Sequence, residues 1–308
     1  MNRKYLAALA AILLLLLPAL LNDPFITHLS IRAATYAIVV MGLTLFVGCT
    51  GQISLGHAAF FGLAAYISGI LAKAGVPYLL AALGATAATG LVGALVGMIV
   101  LRTSGHYLAL ASIAVAVIIQ TLIKNATITG GPSGLTAIPA PEFWGFELDG
   151  GLSYYYYVLI IMALGLLILH RIVASRTGDA LQAIANNELA AQSLGIPVFR
   201  YKVLSFTISV LFAAFAGTLL AHYDGFIDPD RLGTNMSILF LIMAFVGGIG
   251  SLPGALLGAF SLTIMEEYAQ EFGEYNVLVY GLMLALVILF MPKGLISLIQ
   301  RISSREAK

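Results

Sequence analysis

Three polar side chains, Gln52, Ser54 and His57, lie close together in the segment GCTGQISLGHAAFFG (48–62). Its surroundings are almost wholly apolar, so these are the groups best placed there to meet a polar solute. Gly51 and Gly56 loosen the backbone around them. Unwound backbone at membrane depth is tolerated only where protein buries it or where it lines a cavity. Broken helices of this kind form the substrate sites of many transporters. A plainer reading is that the glycines let helices pack closely and the polar side chains bond to neighbours. The residues alone leave both open.

A second break is written as GGIGSLPG (247–254). Glycine weakens a helix and proline removes a backbone donor. Gly247, Gly248 and Gly250 therefore join Gly51, Gln52, Ser54, Gly56 and His57 as candidates for a solute pathway.

The loop ASRTGDALQAIANNELAAQSLGIPVFRYK (174–202) is the other chemically distinct stretch. Asp179 suits the N-terminus of a short helix, and Gly195 with Pro197 ends a second. Ala180, Ala183, Ile184, Leu189 and Leu194 recur at helical spacing and give it an apolar face. Such a face lies on lipid headgroups, packs under its own bundle, or docks a partner.

Several chemistries are missing from the sequence. No P-loop pattern occurs, so ATP is not bound through that motif. The five histidines, His28, His57, His106, His170 and His222, show no metal-ligand spacing, and no metal site is expected. No paired carboxylates stand at span depth, so no catalytic residues are assigned and an enzyme is ranked last. A proton- or sodium-coupled carrier usually needs an ionisable group inside a span, and no Asp or Glu lies mid-span. Power must come from elsewhere, or the protein is a passive channel or facilitator.

The elements that position these residues follow from composition. Of 308 residues 60% are hydrophobic and 9% charged, with net charge +1. About a quarter of a soluble domain is charged, so most of this chain is built for lipid. A near-neutral chain offers no field for nucleic acid. The single Cys49 forms no internal disulfide.

Apolar stretches occur at 6–22, 31–48, 54–73, 77–101, 106–124, 153–173, 203–223, 235–249, 254–270 and 276–292. No Asp, Glu, Lys or Arg occurs from Ala33 to Ala72. Forty helical residues would reach about 60 Å, twice the hydrocarbon thickness, so that run must break near 48–56. The expected fold is an all-α polytopic bundle of about ten transmembrane segments, with broken or re-entrant helices near 48–56 and 247–254.

Ten crossings put both termini on one side. If that side is the cytoplasm, only Arg32, Lys73, Lys124 and Arg231 of the 15 basic residues fall outside, as the positive-inside rule requires. Trp144 and Tyr154 to Tyr157 then form an outer aromatic belt. Arg3-Lys4 and the apolar run to Leu21 also describe a secretory signal, but no clear small-x-small cleavage site precedes Asn22, and a retained helix is expected. Small-xxx-small spacings at Gly93/Gly97, Ala213/Gly217 and Gly250/Gly254/Gly258 allow close packing. The outer loop 126–145 holds the turn signature Gly130-Gly131-Pro132-Ser133-Gly134.

The segment GQISLGHAAFFG (51–62) resembles the signature of permease subunits of bacterial branched-chain amino-acid ABC importers. Further likenesses follow in order. They are SGHYLALASIAVA (104–116), TGGPSGL (129–135), GDALQAIANNELAAQSLGI (178–196), FAGTLLAHYDGFIDPD (215–230), VGGIGSLPGALLGA (246–259) and FMPKGL (290–295). The whole is more similar to the M-type (LivM-like) subunit than to the H-type.

The resemblance implies one permease domain over 1–308, in a bacterial inner membrane. It implies an H-type permease partner, two cytoplasmic ATPases that bind the ATP, and a periplasmic binding protein. No cofactor belongs to the chain itself. The substrate class is leucine, isoleucine and valine, with urea, short-chain amides or other amino acids as alternatives on the same scaffold. Residues 174–202 then hold the coupling loop, with Gly178, Asp179, Ala183, Ile184, Glu188, Ala190, Ala191, Leu194 and Gly195 as ATPase-coupling residues. Leu189 stands where many family members carry alanine.

Overall fold

The computed structural model describes residues 23–143, 146–148 and 151–275, with isolated positions on either side, among them 294–297. The stretches expected at 6–22 and 276–292 lie largely outside the described residues, and so does Trp144.

The described part is a helical bundle. Its helices are α1 (Pro24–Thr50), α2 (His57–Lys73), α3 (Tyr78–Val100), α4 (His106–Asn125), α5 (Leu152–Val173), α6 (Arg176–Asn186), α7 (Glu188–Ser193), α8 (Val198–Asp224), α9 (Thr234–Gly247) and α10 (Leu252–Gln270). A minimal hairpin, β1 (Glu142–Phe143) with β2 (Phe146–Glu147), interrupts the loop between α4 and α5. Five helices, α1, α3, α4, α5 and α8, are long and apolar enough to cross a membrane, while α2 and α9 are apolar but shorter.

Burial sorts these helices into layers. A helix that is apolar all round belongs in a core, and α1 is one. It is buried almost throughout, with α8, α10, α5 and α9 around it. By contrast α3, α4 and α5 turn most of their surface outward, exposing Leu80, Leu91, Ile99, Leu110, Leu122 and Leu167. So much exposed aliphatic surface is the face of a protein dissolved in lipid.

Close packing depends on the small residues. A Cβ on Gly93 would meet Val210, and one on Gly97 would meet Phe206. At Gly217 it would run into the Phe61 carbonyl oxygen, and at Gly258 into that of Met243. The small-xxx-small pairs therefore bring α3, α2 and α9 against their neighbours at backbone distance.

Two sequence readings need correction, and a third is refined. The helix expected from residue 31 begins at Pro24, so Arg32 is the ninth residue of α1. The helix starts earlier because Asp23 caps it, accepting from the Phe25 N–H at 2.9 Å, and Pro24 fits the first helical position. Tyr154 and Tyr155 are fully buried rather than part of an interfacial belt. The Tyr154 hydroxyl donates to the Leu219 carbonyl at 2.6 Å. The cap of α6 is Ser175, whose hydroxyl accepts from the Thr177 N–H. Asp179 stands at the N-terminus as expected, as the acidic residue of the first turn, while the cap itself is the serine.

Candidate functional site

The first break is a six-residue connector between Thr50 and His57. Gly51 closes α1 in the left-handed conformation, its N–H donating to the Val47 carbonyl at 3.0 Å. The connector's polar groups are then taken up by neighbouring helices. The Leu55 N–H donates to Ser112 Oγ of α4 at 2.9 Å. The Ala58 N–H donates to Ser237 Oγ of α9 at 3.1 Å. Ser54 Oγ accepts from the Gly56 N–H at 3.4 Å.

His57 opens α2 and is 1% exposed. Its Nε2 is hydrogen-bonded to Ser209 Oγ of α8 at 2.7 Å, and its ring packs in a three-ring cluster with Phe46 and Phe206. Gln52 is also buried. Among the described residues Gln52 Oε1 and His57 Nδ1 have no hydrogen-bond partner. Those two atoms are what the break keeps available for water or a polar solute, because buried polar groups are costly unless bonded.

The second break meets the first. Gly248 and Gly250 take φ 118° and 79° between α9 and α10, a region that favours glycine. A Cβ on Gly48 would lie 2.5 Å from the Gly250 Cα. Gly247 is packed against the Gly254 backbone just as closely. Segments about 200 residues apart thus touch through backbone alone.

The loop 174–202 crosses the same place. Gln182, Ala185 and Asn186 of α6 join Gly48, Cys49 and Gly250 around a cavity of about 250 Å³. The loop folds as two helices that bury one set of apolar residues together and leave another exposed. Gly178, Leu181 and Ile184 face inward from α6, and Ala191 from α7; Ile184, Ala191 and Val198 form a small cluster of their own. Ala183 packs at that cluster's edge. Leu189 and Leu194 instead point away, 75% and 79% exposed, with Ala190 beside them. The single apolar face read from the sequence is therefore two faces, because Asn187 ends α6 and caps α7 through its own side chain. Gly195 follows α7 at φ 82°. Its N–H donates to the Gln192 carbonyl, and the Ile196 N–H to that of Ala191, a Schellman ending that satisfies both.

One ion pair ties this loop to the bundle. Glu188 Oε2 is 2.6 Å from Lys202 Nζ, and Lys202 is 3% exposed. Further along α8, His222 Nδ1 lies 2.8 Å from the Pro139 carbonyl, and Nε2 lies 2.7 Å from Ser68 Oγ. A carbonyl only accepts, so Nδ1 carries the proton and Nε2 accepts from the serine hydroxyl. The helix α8 is held by polar contacts at three levels: Lys202 to α7, Ser209 to α2, and His222 to α2 and to Pro139 in the loop between α4 and α5.

The serines at 112, 209 and 237 and the buried Lys202 were not singled out from the sequence. Their signal was present, since a polar side chain within an apolar helix usually faces a partner. No group of His, Cys, Asp and Glu that could hold a metal occurs among the described residues.

A family profile described as branched-chain amino acid transport system, permease component, matches residues 25–291. The chain is 33% identical to the high-affinity branched-chain amino acid transport system permease protein LivM of Escherichia coli K12, over 85% of this chain and 67% of that protein. It is 31% identical to LivM of Salmonella typhimurium, over 89% and 71%. To LivH of Salmonella typhimurium it is 27% identical, over 85% and 91%.

Proposed function

The chain belongs to the family of branched-chain amino-acid transport permeases, and from that premise we propose that it is the M-type subunit of an importer whose power arrives through residues 174–202. It is a membrane permease component of an ABC transporter rather than an enzyme.

On this reading the whole chain, 1–308, is one permease domain of ten crossings in a bacterial inner membrane, with both termini cytoplasmic. An H-type permease completes the pathway, and a periplasmic binding protein delivers leucine, isoleucine or valine. Two separate ATPases bind ATP, and the chain has no cofactor of its own. Release of the amino acid follows alternating access: closure of the ATPases moves α6 and α7, and the bundle exchanges inward- for outward-facing states. Gly51, Gln52, Ser54, Gly56, His57, Gly247, Gly248 and Gly250 make up the pathway's narrow level.

The observation that carries this proposal is the contact of α6 with both breaks: it shares a cavity with the end of α1 at Gly48 and with Gly250, and its Ala185 backbone lies against Gly51. A push on the cytoplasmic loop then bears directly on glycine backbone that no side chains stiffen, the part of the bundle easiest to rearrange. The docking face is the exposed one on α7, around Leu189 and Leu194, because Ile184 and Ala191 are already spent on the bundle.

Co-purification with the candidate ATPases tests this. Leu189→Glu combined with Leu194→Glu is expected to cut the recovered ATPase by about tenfold or more, given roughly 1.5–3 kcal/mol for each leucine buried on docking. The variant should still assemble with the H-type partner, since neither leucine contributes to the fold's interior. Undiminished ATPase recovery would remove the docking role from this face.

A further inference from the structure

Two ends of the bundle hold cavities, and the larger is far from the helix breaks. It measures about 800 Å³, within the roughly 300–1,000 Å³ of small-molecule sites. Arg32 and Tyr36 of α1 line it, 12 or more residues from Gly48 and so at least about 18 Å along the helix. The opposite walls come from the C-terminal ends of α8 and α10 and the turn after α8.

The lining combines three kinds of chemistry. Arg32 supplies a guanidinium whose side chain is only 18% exposed. It lies 3.6 Å from Glu267 of α10 and donates to the Tyr36 hydroxyl at 3.3 Å. Carboxylates of Asp224, Asp228, Asp230 and Glu266 stand around the same space, with Asp230 paired to Lys124. Leu220 and Leu239 provide apolar wall. An ionisable residue inside a membrane helix is costly and usually faces a functional cavity.

Each class of solute meets this lining differently. A free anion is repelled by the carboxylates. An uncharged amide gains little from fixed charges. A zwitterion can place its carboxylate on Arg32 and its ammonium among the acids, leaving an aliphatic side chain for the leucines. A guanidinium pairs with a carboxylate in two-pronged geometry, and five donors allow it to keep Tyr36 and Glu267 as well.

We propose that this cavity is a transit site for a neutral, aliphatic α-amino acid, with Arg32 as its carboxylate anchor. The inference rests on the permease reading above. It places the first recognition inside this subunit, before the solute reaches the breaks.

The test is uptake of radiolabelled leucine by the complete complex in proteoliposomes, with binding protein and ATP supplied. Arg32→Gln and Asp228→Asn are each expected to raise KM by about tenfold, the effect of one lost charge-assisted contact. Arg32→Lys should fall between wild type and Arg32→Gln. Co-purification of all subunits establishes that each variant assembles, and the affinity of the binding protein for the complex separates docking from solute recognition. Leucine uptake with unchanged KM in assembled Arg32→Gln and Asp228→Asn overturns the cavity site and leaves the permease reading standing. Uptake of another neutral amino acid but not leucine, still sensitive to both substitutions, supports the cavity and overturns the branched-chain assignment. Uptake confined to uncharged amides overturns both.

Discussion

Glu188→Ala is expected to cost about 1–3 kcal/mol of stability, the usual loss when a buried polar partner is stranded, and more where that partner is charged. The stranded group is Lys202, 3% exposed and bonded to Glu188 at 2.6 Å. Glu188 itself is 38% exposed, so solvent moderates the effect below the roughly 3–5 kcal/mol of a fully buried pair. The paired replacement Glu188→Ala with Lys202→Met should recover much of the loss, since no charge is then left in the apolar interior. Denaturant or thermal unfolding of the purified protein measures both. Recovery of stability without recovery of ATP-driven uptake would separate the pair's part in the fold from its part in transmission. A double variant no more stable than Glu188→Ala would show that Lys202 reaches water on its own.

Gly217→Leu should be the more damaging of two glycine substitutions. At Gly217 even a Cβ would collide with the carbonyl oxygen of Phe61. That atom belongs to the backbone of α2 and can move only if α2 and α8 separate. Overpacking of a core typically costs about 1–3 kcal/mol, occasionally more, and the parting of two helices places this site at or above the upper end. Gly84→Leu is its control: Gly84 lies in α3, is exposed, and has no atom within 4 Å of the added Cβ. Its leucine should enter lipid-facing surface at little cost. The yield of folded protein and its unfolding temperature in detergent measure the difference, and equal behaviour of the two variants would contradict the close approach of α2 and α8.

Much of this architecture could be read from the sequence, for identifiable reasons. The breaks near 48–56 and 247–254 were legible because an uncharged run too long for one crossing has to stop where glycine and proline allow it. The close helix pairs were legible from small residues spaced four apart. That Gly48 would meet Gly250 was not, because hydropathy along one chain carries no information on which breaks adjoin. The start of α1 at Pro24 was not legible from hydropathy, because the uncharged run begins only after Arg32 and the capping Asp23 with Pro24 lies before it. The loop 174–202 was recognised as amphipathic, but counting apolar spacing across Asn187 merged two helices into one face. The isolated serines that support the connector went unnoticed because each is a single polar residue among apolar ones.

The three polar clasps along α8 carry a mechanical consequence. Between greasy helices in lipid, sliding meets little resistance, since one aliphatic contact replaces another at similar energy. Lys202, Ser209 and His222 interrupt that smoothness at intervals of 7 and 13 residues, about 10 and 20 Å of helix. Any glide of α8 along its axis would break all three at once. Movement that keeps them intact has to carry the linked partners along. The helix is thus indexed like a toothed rack rather than a piston: displacement at its N-terminal end, where Glu188 holds it, is delivered to the level of His57 and on to the loop around Pro139 without slack.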